Sequence, residues 1–352
     1  MRRYARKHPA LPRSRTPTPL HSNVKAILVD EDGGPEQLRL GTRPDPQPDA
    51  AELLVDVRAT ALNRADLMQR RGHYPPPEGA SDLLGLEMAG TVAETGAACE
   101  GFAEGDRVFG LLPGGGYAEY AVIDHEMAMP IPDSLSFEEA AALPEVFLTA
   151  YQALYWLGGL AEGHRVLIHA GASGVGTAAT QLVVEAGAEA LVTASAPKHE
   201  TCRTLGAGAA IDYRNEDFAE RVDEITDGGG VDLVLDFIGA PYFQKNTRVL
   251  RTDGRLVLLS VLGGTTVESV DLRRLLAKRL HVKASTLRAR ARDYKVRLAQ
   301  EFAAYALPLF KEGTLRPVID RVYDWTDATD AHRRMEANEN AGKLVLRVTR
   351  GT

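Results

Sequence analysis

The stretch that most constrains this chain runs His169-Ala170-Gly171-Ala172-Ser173-Gly174-Val175-Gly176-Thr177-Ala178. An apolar run, Arg165 to Ile168, precedes it and reads as a buried parallel strand; Thr177 to Glu185 follows and reads as a helix. Strand, tight glycine turn and helix form the setting in which a glycine motif binds a dinucleotide. Glycines let the backbone bend sharply and approach a pyrophosphate closely. The free N–H groups and dipole at the helix start then favour the anion. Gly171 and Gly176 hold the outer positions of G-x-G-x-x-G, but Ser173 stands where the middle glycine is expected. The plainer alternative is a glycine-rich turn of any parallel sheet. The candidate contacts on the turn are Gly171, Ala172, Ser173, Gly174, Val175 and Gly176.

A chain of 352 residues suggests about two domains. Val24 to Val29 and Glu52 to Thr60 read as strands, Asn63 to Arg70 as a short helix, and Pro75-Pro76-Pro77 as an extended loop. Met88 to Glu94, Arg107 to Gly110 and Tyr117 to Ile123 are short β segments punctuated by glycines, so this half is β-rich. Phe137 to Leu143 and Val146 to Leu157 look helical. Strand candidates then alternate with helix candidates. The strands are Val166–His169, Ala190–Ala194, Ala209–Asp212, Leu233–Asp236, Arg255–Ser260 and Leu280–Ala284. The helices are Thr177–Glu185, Pro197–Leu205, Glu216–Ile225, Tyr242–Leu250 and Leu272–Lys278. That rhythm implies an α/β fold, a doubly wound parallel sheet of the Rossmann kind with helices on both faces. After Ser285 the rhythm breaks. A long helix over Asp293 to Phe310, a strand near Val318 to Tyr323, a helix near Ala328 to Ala337 and a strand over Lys343 to Val348 are expected to return to the first domain.

Two cysteines, Cys99 and Cys202, lie too far apart in sequence to form a ligand spacing, which argues against a disulfide framework and a Cys-rich metal site. No run of 18 apolar residues marks a transmembrane helix. A reducing, cytoplasmic setting is the default. The net charge of −7 hides an asymmetry, because residues 1–22 carry six basic residues and no acid, leaving the rest more acidic. An acidic body argues against nucleic acid as a partner. The prolines Pro9, Pro12, Pro17 and Pro19 disfavour an amphipathic targeting helix. Residues 1–23 are therefore expected as a disordered basic extension, with an organellar signal as the other reading.

NAD enzymes place an acid about 20 residues past the glycines, on the ribose 2′-hydroxyl. Here the second strand ends Thr193-Ala194-Ser195-Ala196-Pro197-Lys198, without one. Ser195 and Lys198 suit a 2′-phosphate instead, and Tyr213, past the next strand, stands near enough to stack or donate. This favours NADPH. The plainer alternative is Lys198 as a solvated helix residue and Tyr213 as a strand-end aromatic.

Ala61-Leu62-Asn63-Arg64-Ala65-Asp66-Leu67-Met68-Gln69-Arg70, Leu111-Leu112-Pro113-Gly114-Gly115-Gly116 and the glycine turn resemble the quinone oxidoreductases of the medium-chain dehydrogenase/reductase superfamily. Within them the chain is most similar to the tumour-suppressor-inducible branch, from about Val24 to Val348. The resemblance implies a GroES-like catalytic domain (24–145 and 285–352), a Rossmann domain (146–284), NADPH and a homodimer.

Zinc-dependent members carry a Cys three residues before an Asp and a His before a Glu. The matching positions here are Asn63, before Asp66, and Leu86, before Glu87. An amide and an isobutyl group cannot replace thiolate and imidazole as zinc ligands, so no metal is expected. Hydride transfer then rests on positioning and hydrogen bonding. By resemblance and chemistry the catalytic candidates are Asn63, Tyr74 and Ser173. Asn63 also reads as an ordinary N-cap and Tyr74 as packing against the prolines. Asp66 and Glu87 read as structural acids. Further cofactor candidates are Thr149, Phe237, Ile238, Leu262, Gly263, Asn340 and Lys343; a solvated surface lysine is the other reading of Lys343. The basic run Arg288, Arg290, Arg292, Lys295, Arg297 reads as a solvated helix start. The implied function is an NADPH-dependent, zinc-free quinone reductase. The alternatives are an enone or alkenal double-bond reductase and a non-catalytic NADPH-binding protein.

Overall fold

The computed structural model describes residues 23–350; the expected basic extension lies outside the described residues save for Asn23. The strands are β1 (Val24–Val29), β2 (Leu38–Arg43), β3 (Glu52–Ala61), β4 (Glu87–Thr95), β5 (Arg107–Leu111), β6 (Tyr120–Asp124), β7 (Met129–Pro130), β8 (Arg165–Ile168), β9 (Glu189–Ala194), β10 (Ala209–Asp212), β11 (Val231–Asp236), β12 (Leu250–Leu258), β13 (His281–Ala284), β14 (Ile319–Asp324) and β15 (Lys343–Arg347). The helices are α1 (Arg64–Arg70), α2 (Phe137–Ala141), α3 (Pro144–Tyr151), α4 (Gly174–Glu185), α5 (His199–Thr204), α6 (Phe218–Ile225), α7 (Ala240–Val249), α8 (Leu272–Ala277), α9 (Arg292–Glu312) and α10 (Ala328–Glu336).

Two larger sheets divide the work. Six parallel strands stand in the order β10-β9-β8-β11-β12-β13. The strand order reverses at β8, which leaves a crevice beyond the carboxyl ends of β8 and β11, where ligands bind in such sheets. Every residue of β11 is buried, as expected for a central strand covered on both faces by helices. The second sheet runs β14-β15-β3-β4-β5-β7, with β6 also paired to β3. Its first two strands come from the far end of the chain, so the C-terminal stretch does return to the β-rich half. The two halves share one apolar core: Phe147 of α3 meets Phe302 and Phe310 of α9, at 6.1 and 5.0 Å between ring centroids.

Several element ends differ from expectation for local reasons. Helix α4 starts at Gly174 rather than Thr177, because the Ser173 hydroxyl accepts the Gly176 N–H at 3.1 Å and caps it. The helix expected over Pro197–Leu205 is a 3₁₀ turn, Ala196–Lys198, followed by α5. The single helix expected over Val146–Leu157 is α3 followed by a π-helical turn, Gln152–Leu157. There the Gln152 side chain donates to Ser285 Oγ at 3.1 Å and Tyr294 Oη at 2.6 Å. Strand β2 was not expected. Only Leu38 of its six residues is buried, so no alternation announces it.

Candidate functional site

The turn between β8 and α4 is shaped by close approach more than by glycine freedom. Gly171 lies against β9, where an added Cβ would meet Val192 Cβ at 2.5 Å. Gly176 lies against the turn itself, where a Cβ would meet Ala170 O at 2.3 Å. Ser173 has an ordinary φ of −72°, so a side chain fits at the middle motif position. The left-handed residue is Ala170, at φ 50°. At the first turn of α4, the N–H groups of Gly174 and Val175 have no intrahelical acceptor, and no acid stands there to compete for an anion.

These residues wall one side of a cleft of about 440 Å³ between the two sheets' domains. Its far end holds Lys198, Tyr213 and Arg214; its near end holds Leu62, Asn63 and Lys343. Among the described residues four cations line it (Arg64, Lys198, Arg214 and Lys343) and no carboxylate does. A dinucleotide carrying several phosphate charges fits that balance. Lys198 Nζ donates to Asn338 O and Asn340 O, both at 2.7 Å, and so ties the parallel-sheet domain to the loop before β15. Arg64 Nη2 donates to Asn338 Oδ1 at 2.6 Å from the other side.

A buried relay holds the end of β11. His169 Nε2 donates to Asn246 Oδ1 at 2.7 Å, and Asn246 Nδ2 donates to Asp236 Oδ2 at 2.9 Å. Asp236 Oδ1 in turn accepts the N–H groups of Ile238 at 2.7 Å and Gly239 at 3.1 Å, which sets the Phe237–Ile238 segment against the cleft. Burial pushes His169 down to about 4, so it stays neutral, as a ring that both donates and accepts must.

The near end has a polar floor. Lys343 Nζ donates to Leu62 O at 2.6 Å, Asn63 Oδ1 at 2.7 Å and Glu87 Oε1 at 2.7 Å. Asn63 Nδ2 donates to the same Glu87 oxygen at 2.7 Å. Glu87 Oε2 accepts the Glu145 N–H at 2.8 Å. Asp66 accepts the N–H groups of Asn63 and Gly85 at 2.7 and 3.1 Å. Burial pushes Asp66 up to about 6. Glu145, at the start of α3, rises further, to about 8, through burial and then the like charge of Glu87.

The expected residues divide on this geometry. Asn63, Ala172, Ser173, Gly174, Val175, Ser195, Lys198, Tyr213, Phe237, Ile238, Leu262, Gly263, Asn340 and Lys343 line the cleft. Gly171 and Gly176 do not; they are packed behind the turn. Thr149 lies in the middle of α3, outside the lining. Tyr74 stands outside it too, its ring 5.3 Å from the guanidinium of Arg288. Lys343 is no solvated lysine: its side chain is 4% exposed and fully paired. Both faces of the Asn63 amide are engaged by Lys343 and Glu87, and its N–H caps α1 through Asp66. Arg288 is likewise not a solvated helix residue. It is 7% exposed, and its Nε donates to Pro113 O at 2.8 Å. Sequence reasoning passed over Arg64, Thr193, Arg214, Tyr242, Met335 and Asn338. Arg214, next to Tyr213, was the one with a local signal.

Residues 49–133 match the alcohol dehydrogenase GroES-like domain family and residues 205–346 the zinc-binding dehydrogenase family. Over 340 residues the chain is 33% identical to the human (Homo sapiens) synaptic vesicle membrane protein VAT-1 homolog, covering 92% of this chain and 86% of that protein. Among solved structures, a mycobacterial protein complexed with NADPH superposes with a TM-score of 0.81 at 31% identity, over 92% of this chain and 100% of its own. A quinone oxidoreductase of Pseudomonas syringae pv. Tomato DC3000 does so with a TM-score of 0.80 at 31% identity, over 92% of this chain and 100% of its own.

Proposed function

The chain belongs to the medium-chain dehydrogenase/reductase family, and from that premise we propose that it is an NADPH-dependent quinone reductase working without a metal. The observation that carries the cofactor is the cleft lined by four cations and no carboxylate, entered by the open N-terminus of α4. When bound, NADPH supplies the hydride. The chain's residues hold and orient. Gly174 and Val175 offer N–H groups to the pyrophosphate, and Ser195, Lys198, Tyr213 and Arg214 stand where a 2′-phosphate would be read. Phe237, Ile238, Leu262 and Gly263 wall the reactive end, and Ser173 flanks it. Tyr74 is proposed to border the acceptor ring, and Thr149 to support the wall from behind.

A metal-free reaction is supported by the floor. The Lys343 ammonium already occupies the space between Asn63 and Glu87, and Leu86 brings no donor atom. The similar quinone oxidoreductase and NADPH-bound structures favour the same chemistry, as does the resemblance to the tumour-suppressor-inducible branch. The proposed assembly is a homodimer through the β13 edge, in the cytoplasm. Every residue of β13 is exposed, and no helix among the described residues is long and apolar enough to cross a membrane. The domains proposed are 24–145 with 285–352 for the acceptor and 146–284 for the cofactor.

NADPH oxidation against ortho-quinones, para-quinones and enones tests the reaction. Turnover of enones alone would replace the quinone assignment, and binding without turnover would leave a cofactor-binding protein. Lys198→Ala and Arg214→Ala are each expected to weaken NADPH binding about tenfold or more, with little change for NADH, since each removes a charge-assisted contact. Equal losses for both cofactors would refute the 2′-phosphate reading.

A further inference from the structure

Three carboxyl groups and one ammonium crowd together beneath the near end of the cleft, behind Asn63, and they are not equally provided for. Glu87 (β4) receives Lys343 Nζ, Asn63 Nδ2 and the Glu145 N–H. Asp66 (α1) receives two backbone N–H groups. The Glu145 carboxyl receives no hydrogen bond and no ion pair among the described residues. Glu87 and Asp66 are fully buried and Glu145 partly so; ionising all three, with Lys343 paired to Glu87 alone, would leave excess negative charge in a poorly solvated site. The proton therefore stays where the charged form is least supported, on Glu145.

Its surroundings are built for a polar visitor. Glu145 faces a cavity of about 10 Å³ bounded by Leu86, Leu111, Leu112, Pro113, Met127, Arg288 and Lys295, about the room of one water molecule. Arg288 Nη2 is buried and finds no acceptor among the described residues. Beyond Arg288 lies a second cavity of about 260 Å³, formed by the Pro77–Ala80 loop, Arg290 and Lys295. On the other side of the first turn of α3, Val146 lines the cofactor cleft. A carboxyl without partners thus stands between the cleft floor and an outer cavity, with an unused donor beside it.

We propose that Glu145 is the acid that completes the reduction, giving its carboxyl proton to the oxygen anion of the reduced acceptor. The inference rests on the reductase reading above. The acceptor takes up two electrons and a hydrogen as the hydride of the reduced nicotinamide. Its second oxygen takes the Glu145 proton as a new O–H bond forms and the carboxyl O–H bond breaks. The carboxylate left behind is reprotonated by water from the outer cavity, past Arg288. The groups that face Glu145 set its proton affinity from every side: Glu87 on β4 and Asp66 on α1 raise it; Lys343 on β15 and Arg288 on the 285–291 segment lower it. Tyr74, on the loop after α1, is held neutral chiefly by burial. Lys295 on α9 shares the small cavity.

Two measurements test this. In ¹³C-glutamate-labelled protein without cofactor, one carboxyl resonance absent from Glu145→Gln is expected to titrate near pH 8; titration in the ordinary glutamate range overturns the proposal. In turnover, kcat of the wild type is expected to fall as pH rises through about 8, because the protonated form is the active one. Glu145→Gln is expected to lose about a hundredfold in kcat and the alkaline decline with it, while NADPH binding is unchanged and Glu145→Asp restores part of both. A wild type that turns over beside a Glu145→Gln variant with the same rate and the same pH profile overturns the acid role alone. A wild type that binds NADPH and reduces no acceptor overturns the reductase reading, and the acid role with it.

Discussion

Lys343 decides the near end of the cleft. A lysine directly after a polar loop, Asn338 to Gly342, and before an apolar strand carries no sign in the sequence that its ammonium will be buried. The fold places it against Glu87 and Asn63, which come from the other end of the chain. Removing one member of such a pair leaves the other charge buried and alone. Lys343→Met is therefore expected to lower the unfolding free energy by about 3–5 kcal/mol, and Lys343→Met with Glu87→Leu to recover much of it. Denaturant titration of both variants checks this, and a single variant as stable as the wild type would disprove it. His332 shows the same blindness. Arg70 Nη1 donates to its Nδ1 at 2.9 Å, and burial pushes it down to about 3, a neutral ring on the buried face that α10 shares with Ala328, Ala331 and Met335.

At the scale of elements, the β8–turn–α4 unit was legible because its signals are local. The apolar strand, the outer glycines and the helix lie within about twenty residues. The motif's detail was less so. The middle glycine proved dispensable because Ser173 sits in ordinary backbone and caps the helix, whereas Gly176 is required by contact. A methyl group at Gly176 would press on Ala170 O at 2.3 Å and push α4 away from the turn. Gly176→Ala is expected to abolish measurable NADPH binding and to destabilise the fold, by about 1–3 kcal/mol for the overpacking. Calorimetric titration with NADPH checks the first effect and thermal unfolding the second. Element ends were less legible where a distant side chain intervenes, as where Ser285 and Tyr294 meet Gln152 in the π turn after α3.

For the molecule as a whole, the unfinished feature is the outer edge of the parallel sheet. Strand β13 pairs with β12 on one side only. Leu272 and Leu276 of the neighbouring α8 are 65% and 78% exposed. Open edges and clustered apolar side chains are covered in stable proteins, and a two-fold pairing of identical edges covers both at once. The expected dimer should be split by Val282→Lys with Leu276→Glu. Light scattering is expected to report twice the chain mass for the wild type and a single chain mass for the variant, at unchanged secondary structure. A monomeric wild type would refute the assembly.

The residues alone announce whatever rests on neighbours along the chain. That includes the alternation of strand and helix, the glycine turn, the absence of an acid after the second strand of the nucleotide fold, and the lack of a thiolate and an imidazole at Asn63 and Leu86. Which distant groups meet follows from the folded chain: Lys343 with Glu87, Lys198 with the Asn338–Asn340 loop, Arg288 beside Tyr74 and Glu145 without a partner among the described residues. Local pattern records propensity and periodicity. The electrostatics of a buried site depends on charges brought together from separate parts of the chain, and no window of sequence contains them.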